Sequence, residues 1–262
     1  MDTQELNLKL ELHGKWLLNQ TGGRQLDLHN MNLHAADLHG INLSNAKLYG
    51  IDLSGANLRN ANLCGAQLYD ANMSGAVMNC AHLYGANMAS ADLSCACLSR
   101  AGMGGVNLSD AHLFGTNFRG ADLSNADLSG ANMAGAALTG AVLDRVKYDT
   151  YTSFYSLTCP ETGAFLGYKK ASGYIVQLEI CADAKRSSAT TRKCRCSAAK
   201  VLSITCCDGR PVSFRSVVSD HDFNFVYPVG QIVSVPDFDE DRWHECSNGI
   251  HFFLTRDEAV RY

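Results

Sequence analysis

Residues 121–140 read ADLSNADLSGANMAGAALTG, four near-copies of one five-residue unit. Stepping by five from Leu28 to Leu143, all 24 positions hold Leu, Met or Phe, with no insertion or deletion. Two residues before each centre stands Ala, or else Leu26, Met31, Ile41, Ile51, Val106 or Thr116. The other three positions are mostly Asn, Asp, Ser and Gly. Such a period fits neither the ~3.6-residue turn of a helix nor the ~2-residue alternation of a strand. It fits a chain that turns a corner at every repeat, one large and one small apolar side chain pointing inward. Four corners close a square, so 24 repeats make about six coils of 20 residues. Stacked at about 4.8 Å, they form a rod roughly 29 Å long. Gly is frequent two residues after the centre, where a tight turn calls for positive φ.

The stretch ANLRNANLCGAQLYDANMSGA, residues 56–76, resembles the pentapeptide-repeat family, whose pattern is Ala, then Asp or Asn, then Leu, then two variable residues. The resemblance covers residues 26–145. It implies a mainly β protein built on a right-handed quadrilateral β-helix. Such a stack is quasi-one-dimensional, each coil stabilised by its neighbours, and its ends need covering. Residues 11–19, ELHGKWLLN, place Leu12, Trp16 and Leu17 on one side of a short helix, the expected N-terminal cap. The expected organisation is a cap over 1–25, a repeat β-helix over 26–148 and a C-terminal α+β domain over 149–262.

Residues 20 apart share a face. One outward ladder runs His29, Tyr49, Tyr69, Ala89, Ser109 and Ser129, and Tyr84 falls on the adjoining face. Tyr49, Tyr69 and Tyr84 are therefore the candidate interaction face, the alternative being that stacked tyrosines merely shield the coil. His29, His34 and His39 diverge onto three faces, and Cys64, Cys80, Cys95 and Cys97 occupy varied positions, so neither set converges on a metal. Some members of the family protect DNA gyrase by imitating duplex DNA. Here nine Asp against five basic residues between 26 and 145 give a thin negative surface for that role. Duplex DNA carries a charge every ~1.7 Å.

From Tyr148 the fives disappear and aromatic, β-branched and charged residues rise. YIVQLEI, AKVLSITC, PVSFRSVV, FNFVYPVGQIVSV and GIHFFLT read as strands, and Thr255 with Glu258 has capping-box spacing before a short helix. This region resembles an uncharacterised domain that follows pentapeptide repeats in bacterial and viral proteins. The resemblance rests on CPETGAFLGYKK, AKRSSATTRKCRCSAAKVLSI and DRWHECSNGIHFFLTRDEAV, and it brings no activity with it. Within residues 185–200, a basic loop offers Lys185, Arg186, Arg192, Lys193 and Arg195 to a phosphorylated ligand or nucleic acid. Ser187, Ser188, Thr190 and Thr191 add hydroxyls, and the alternative is a solvated loop balancing DFDEDRWHE. Cys194, Cys196 and Cys206 are the candidate zinc ligands, although their spacing is not a common one and buried reduced thiols account for them better. Cys246 beside His244 or His251 is the candidate catalytic pair, with His251 its centre.

The chain has 22 Lys and Arg against 26 Asp and Glu, which signals neither a nucleic-acid protein nor an acidic tail. No run of eighteen apolar residues exists, and the N-terminal stretch lacks the pattern of a signal peptide. The 11 cysteines, odd in number and irregular in spacing, point to reduced thiols in a cytoplasm. The sequence therefore predicts a non-enzymatic binding or scaffold protein with a protein partner, no cofactor and no membrane span, open to homodimer formation. Its rivals are a C-terminal phosphate-ligand site, an enzyme at His251 and Cys246, and a DNA mimic.

Overall fold

The structure, a computed structural model, describes residues 3–153, 157–244 and 247–262. Contacts divide the chain into two units, Met1–Tyr155 and Ser156–Tyr262.

In the first unit every repeat position answers one physical demand. Parallel bridges join each residue before a centre to the residue 20 further on, from Asp27–Lys47 to Asp127–Lys147. The amide of each centre donates to the next coil, as Leu48 N does to Gln67 O at 2.8 Å. The amide before it donates to the previous coil, as Lys47 N does to Leu26 O at 2.9 Å. A turn then closes at the corner, with Ile51 N donating to Leu48 O at 3.2 Å. Its third residue has φ between 54° and 70° at all 24 corners from Asn30 to Arg145. Gly takes half of those positions because a Cβ there costs ~1–2 kcal/mol, and Asn and Asp fill several others.

One amide in each corner points away from this ladder, and where an Asp or Asn stands before the centre its side chain receives it. Asp52 Oδ1 accepts from Ser54 N at 3.0 Å, Asp92 Oδ1 from Ser94 N at 2.9 Å and Asp122 Oδ1 from Ser124 N at 3.0 Å. The second and fifth positions of the motif are thus backbone chemistry. The first and third are packing: Ala46 to Ala136 and Leu48 to Leu138 lie almost wholly out of solvent. Each buried Leu or Met contributes ~1.5–3 kcal/mol of transfer free energy. Thr116, alone among the small inward residues in carrying a hydroxyl, satisfies it by donating to Leu93 O at 2.8 Å. At the far end the ladder slips by one residue to Asn132–Ser153. Asp149 closes it by accepting from Gly130, Tyr151 and Thr152 amides at 3.0, 2.9 and 3.0 Å.

The helix α1, Thr3–Leu17, starts well before the predicted segment. Pairs Glu5–Lys9 and Glu11–Lys15 at helical spacing support its exposed side at 3.3 and 2.6 Å. Leu12, Trp16 and Leu17 are half-buried as expected, but the anchor is a residue the pattern did not single out. His13, 1% exposed, accepts from Leu26 N through Nδ1 and donates from Nε2 to Ser44 O, both at 3.1 Å. Its ring also stacks on Trp16, with centroids 5.6 Å apart.

In the second unit, β1 (Phe165–Ala171), β2 (Tyr174–Ile180), β5 (Ala198–Cys206) and β8 (Ile232–Ser234) form an antiparallel sheet in the order β1-β2-β5-β8. A second sheet runs β3 (Arg186–Ser188), β4 (Cys194–Cys196), β9 (Ile250–Phe252), also antiparallel. The hairpin β6 (Ser216–Val218) and β7 (Val226–Pro228) stands beside them. A bridge between Tyr168 and Phe253 ties β1 to the end of β9. Gly167 is required at that junction, since a Cβ there would lie 2.7 Å from Phe252 Cδ2. Val176, Leu178, Val201, Ile250 and Phe252 fill the core. The helix α2, Arg256–Arg261, carries the capping box that Thr255 and Glu258 predict. Residues 185–200 depart from the expected basic loop: they form β3, β4 and the start of β5. Alternation explains it, because Cys194 and Cys196 turn into the core with Arg195 between them on the opposite side.

Burial lowers the pKa of His13 from its ordinary 6.5, with the Ser44 carbonyl opposing the shift. Well above pH 6.5 the ring is neutral in folded and unfolded chains alike. Below it the unfolded chain takes up a proton that the folded one resists, so stability falls as pH falls. Protonation at Nδ1 also removes the acceptor for Leu26 N. In a Trp243→Phe background, Trp16 fluorescence should shift to the red with a midpoint below pH 6.5, and His13→Ala should destabilise the unit by roughly 2–4 kcal/mol. A midpoint above that pH would contradict the assignment.

Candidate functional site

On the repeat unit the outward ladder forms as expected. His29 stacks on Tyr49 with centroids 4.8 Å apart, and Tyr49 on Tyr69 at 5.0 Å with planes within 5°. The stack is continuous because consecutive coils repeat the same position at backbone spacing. Tyr84 stands apart from this stack. Its ring lies over Gly102 and Gly104 of the next coil, where a Cβ on Gly102 would fall 2.5 Å from Tyr84 Cε2. Gly102 thus replaces the usual Asp or Asn to admit the ring. Phe114, 56% exposed on a further face, is an apolar surface residue that the search for tyrosines passed over.

The five cations of residues 185–195 do not converge. Lys185 pairs with Glu240. Arg186 donates to four backbone carbonyls, those of Pro160, Gly163, Cys181 and Ala182, at 2.6–3.2 Å, and lies over the Phe165 ring. Arg192 pairs with Glu258 of α2 at 2.7 Å. Arg195, 2% exposed, donates to Asp239 O, Asn248 O and Asp241 O at 2.9–3.0 Å and covers Phe238. Arg186 and Arg195 are therefore internal braces, which fasten segments lacking regular structure by satisfying their carbonyls. Of the five, Lys193 lines a cavity of the second unit, its ammonium 5.5 Å from the Tyr262 ring centre. Ser187 and Ser188 are buried, and Ser188 Oγ accepts from Thr158 N at 2.8 Å.

Cys194 and Cys196 lie wholly in the core, and Cys206 ends β5 half-buried. The Cys194 thiol is pushed up by its hydrogen bond with Cys159 and by burial, the Cys196 thiol by burial. Among the described residues no three His, Cys, Asp or Glu side chains are grouped to hold a metal ion. Cys246 lies outside the described residues. His251 lies on β9 opposite Arg195, and its Nε2 is buried with no hydrogen-bond partner among the described residues. Burial first, then the charges of Lys169, Lys193 and Arg195, push its pKa down to about 3. It is a neutral imidazole at physiological pH, facing the same cavity as Lys193.

The chain carries pentapeptide repeats: the model of that family, in 8 copies, matches residues 24–50, 41–79, 66–103 and 107–145. Residues 155–259 match a family of unknown function, DUF5758. No curated protein is similar to the chain. Among solved structures, Rfr23, a pentapeptide repeat protein from the cyanobacterium Cyanothece 51142, is 31% identical over 37% of this chain, with a TM-score of 0.32. The match spans 63% of Rfr23, less than two thirds of its length. HetL, a pentapeptide repeat protein involved in heterocyst differentiation regulation from Nostoc sp. strain PCC 7120, is 31% identical over 47% of this chain and 77% of its own, with a TM-score of 0.16. A trypsin-treated variant of QnrB1, a plasmid-mediated fluoroquinolone resistance protein, is 20% identical over 49% and 85%, with a TM-score of 0.28. Among the described residues, no helix is long and apolar enough to cross a membrane.

The internal role of Arg195 has a measurable consequence. Arg195→Met strands three carbonyls and should lower stability by roughly 3 kcal/mol or more. Arg192→Met breaks only a largely exposed pair and should cost less than about 1 kcal/mol. Urea denaturation of both variants checks this, and equal losses would refute it.

Proposed function

We propose that the chain is a non-enzymatic binding protein. Its repeat unit, a right-handed four-sided coil of about six turns, presents an interaction face to a protein partner and serves as a platform for the C-terminal domain. The observation that carries this reading is the His29–Tyr49–Tyr69 stack, three rings in register at 4.8 and 5.0 Å. Rigid aromatic side chains lose little entropy on docking and supply much of the energy at interfaces. The interior of the unit consists of Leu, Met, Phe, Ala and a few β-branched residues, so recognition belongs to its surface. The described cysteines are all unpaired, which supports a reducing cytoplasm.

A second reading assigns ligand binding to the C-terminal domain. The cavity holding Lys193 and His251 favours it, although through residues other than most of the expected basic segment.

A double Tyr49→Ser, Tyr69→Ser substitution tests the interaction face. Surface changes of this kind typically stay within ~0.5 kcal/mol each, so the melting temperature should hold. Proximity labelling and sedimentation velocity would compare the variant with the parent. A protein neighbour, or the homodimer, should be lost in the variant; an unchanged set of neighbours and unchanged mass would exclude this face.

A further inference from the structure

The cavity of about 530 Å³ in the second unit is walled by β1, β9, the β6–β7 hairpin and residues 234–237 and 247–249. Lys169, Lys193 and His251 meet there, and all three also line an adjoining recess beside Asp220. Lys169 is on the inward side of β1 with Gly167 and Ala171 and is 8% exposed. Among the described residues its ammonium makes no ion pair or hydrogen bond and faces the Tyr227 ring at 5.8 Å. Burial pulls its pKa down, Lys193 adds to that, and Asp220 opposes it. Removing an ammonium from water is unfavourable unless negative charge replaces the lost hydration. His251 Nε2, which lines the same cavity, is buried and has no partner among the described residues. Two cations and a polar ring nitrogen thus border one space, with Asp220 in the adjoining recess and Asp222 and Asp237 elsewhere on the lining.

We propose that this cavity binds a small phosphomonoester of nucleoside-monophosphate size, its phosphate held by Lys169, Lys193 and His251. A phosphomonoester carries about −1.5 to −2 charges at neutral pH, matching two ammonium groups, where a carboxylate brings half as much. Phe225, Tyr227 and Tyr262 line the cavity and offer flat walls to a ring. Asp222, Asp237 and Asn248 offer acceptors to hydroxyl or amino groups. The volume falls within the roughly 300–1,000 Å³ usual for small-molecule sites. Arg186 and Arg195 contribute nothing directly, being committed to backbone carbonyls. The site is independent of the aromatic face on the repeat unit.

Calorimetry on the full chain tests the site, with inorganic phosphate, the four ribonucleoside 5′-monophosphates, adenosine and acetate as probes. At least one monophosphate should bind more tightly than inorganic phosphate, and adenosine and acetate should bind at least roughly tenfold more weakly than it. Lys169→Met should weaken the monophosphate by roughly tenfold or more, while Lys185→Met, outside the cavity, should leave it unchanged. Without ligand, Lys169→Met should melt no lower than the parent, since a neutral side chain replaces a buried ammonium; that separates lost binding from lost folding. No binding of any phosphate probe would overturn the proposal. So would equal binding by Lys169→Met, loss of binding in Lys185→Met, or acetate binding as tightly as phosphate.

Discussion

The bond from each centre's amide to a carbonyl on the following coil is the constraint on which the repeat unit rests. It can form only if every coil spends the same 20 residues returning to its starting side, so one inserted residue would rotate all later side chains out of register. The corner makes the return possible. A left-handed residue reverses the chain, and in most repeats an Asp or Asn oxygen receives the amide that the reversal leaves over. Packing then asks only for a large centre and a small neighbour. Function is left with the residue after each centre, and here that position carries rings on His29, Tyr49 and Tyr69.

The C-terminal domain solves a different problem. Its strands are short, several of only three residues, so much of its backbone lacks ladder partners. Arg186 and Arg195 supply them, each gathering carbonyls from separated segments. A guanidinium suits this work because its donors fan out in one plane and it remains charged when buried. The lysines suit the cavity for the opposite reason: an ammonium is a compact charge that a ligand can complete. Arg and Lys that look interchangeable in composition thus divide between holding the domain and preparing a site.

The repeat unit was legible because each demand recurs at 24 corners, so composition averages into a rule. His13 was not, since its partners Leu26 and Ser44 are distant in the chain and nothing periodic marks it. The basic segment misled for a physical reason. Clustered cations suggest a ligand, but backbone carbonyls, which hold Arg186 and Arg195, leave no trace in a sequence. Lys169 was missed because it lies far from that cluster in a strand of mixed character. Its alternation with Gly167 and Ala171 could have been noticed, but not which face turns inward. Lys193 and His251 were singled out separately, and only the pairing of β4 with β9 brings that part of the chain together.

In the proposed division of labour the repeats present a protein-binding face and the C-terminal cavity takes the small ligand. Amide hydrogen exchange on the full chain, with and without a saturating ribonucleoside monophosphate, tests that division most directly. Added protection should be confined to the segments around Lys169, Lys193, residues 219–227 and His251, with the coils between Asp27 and Lys147 unchanged. Protection appearing in the coils and absent from the cavity would contradict it.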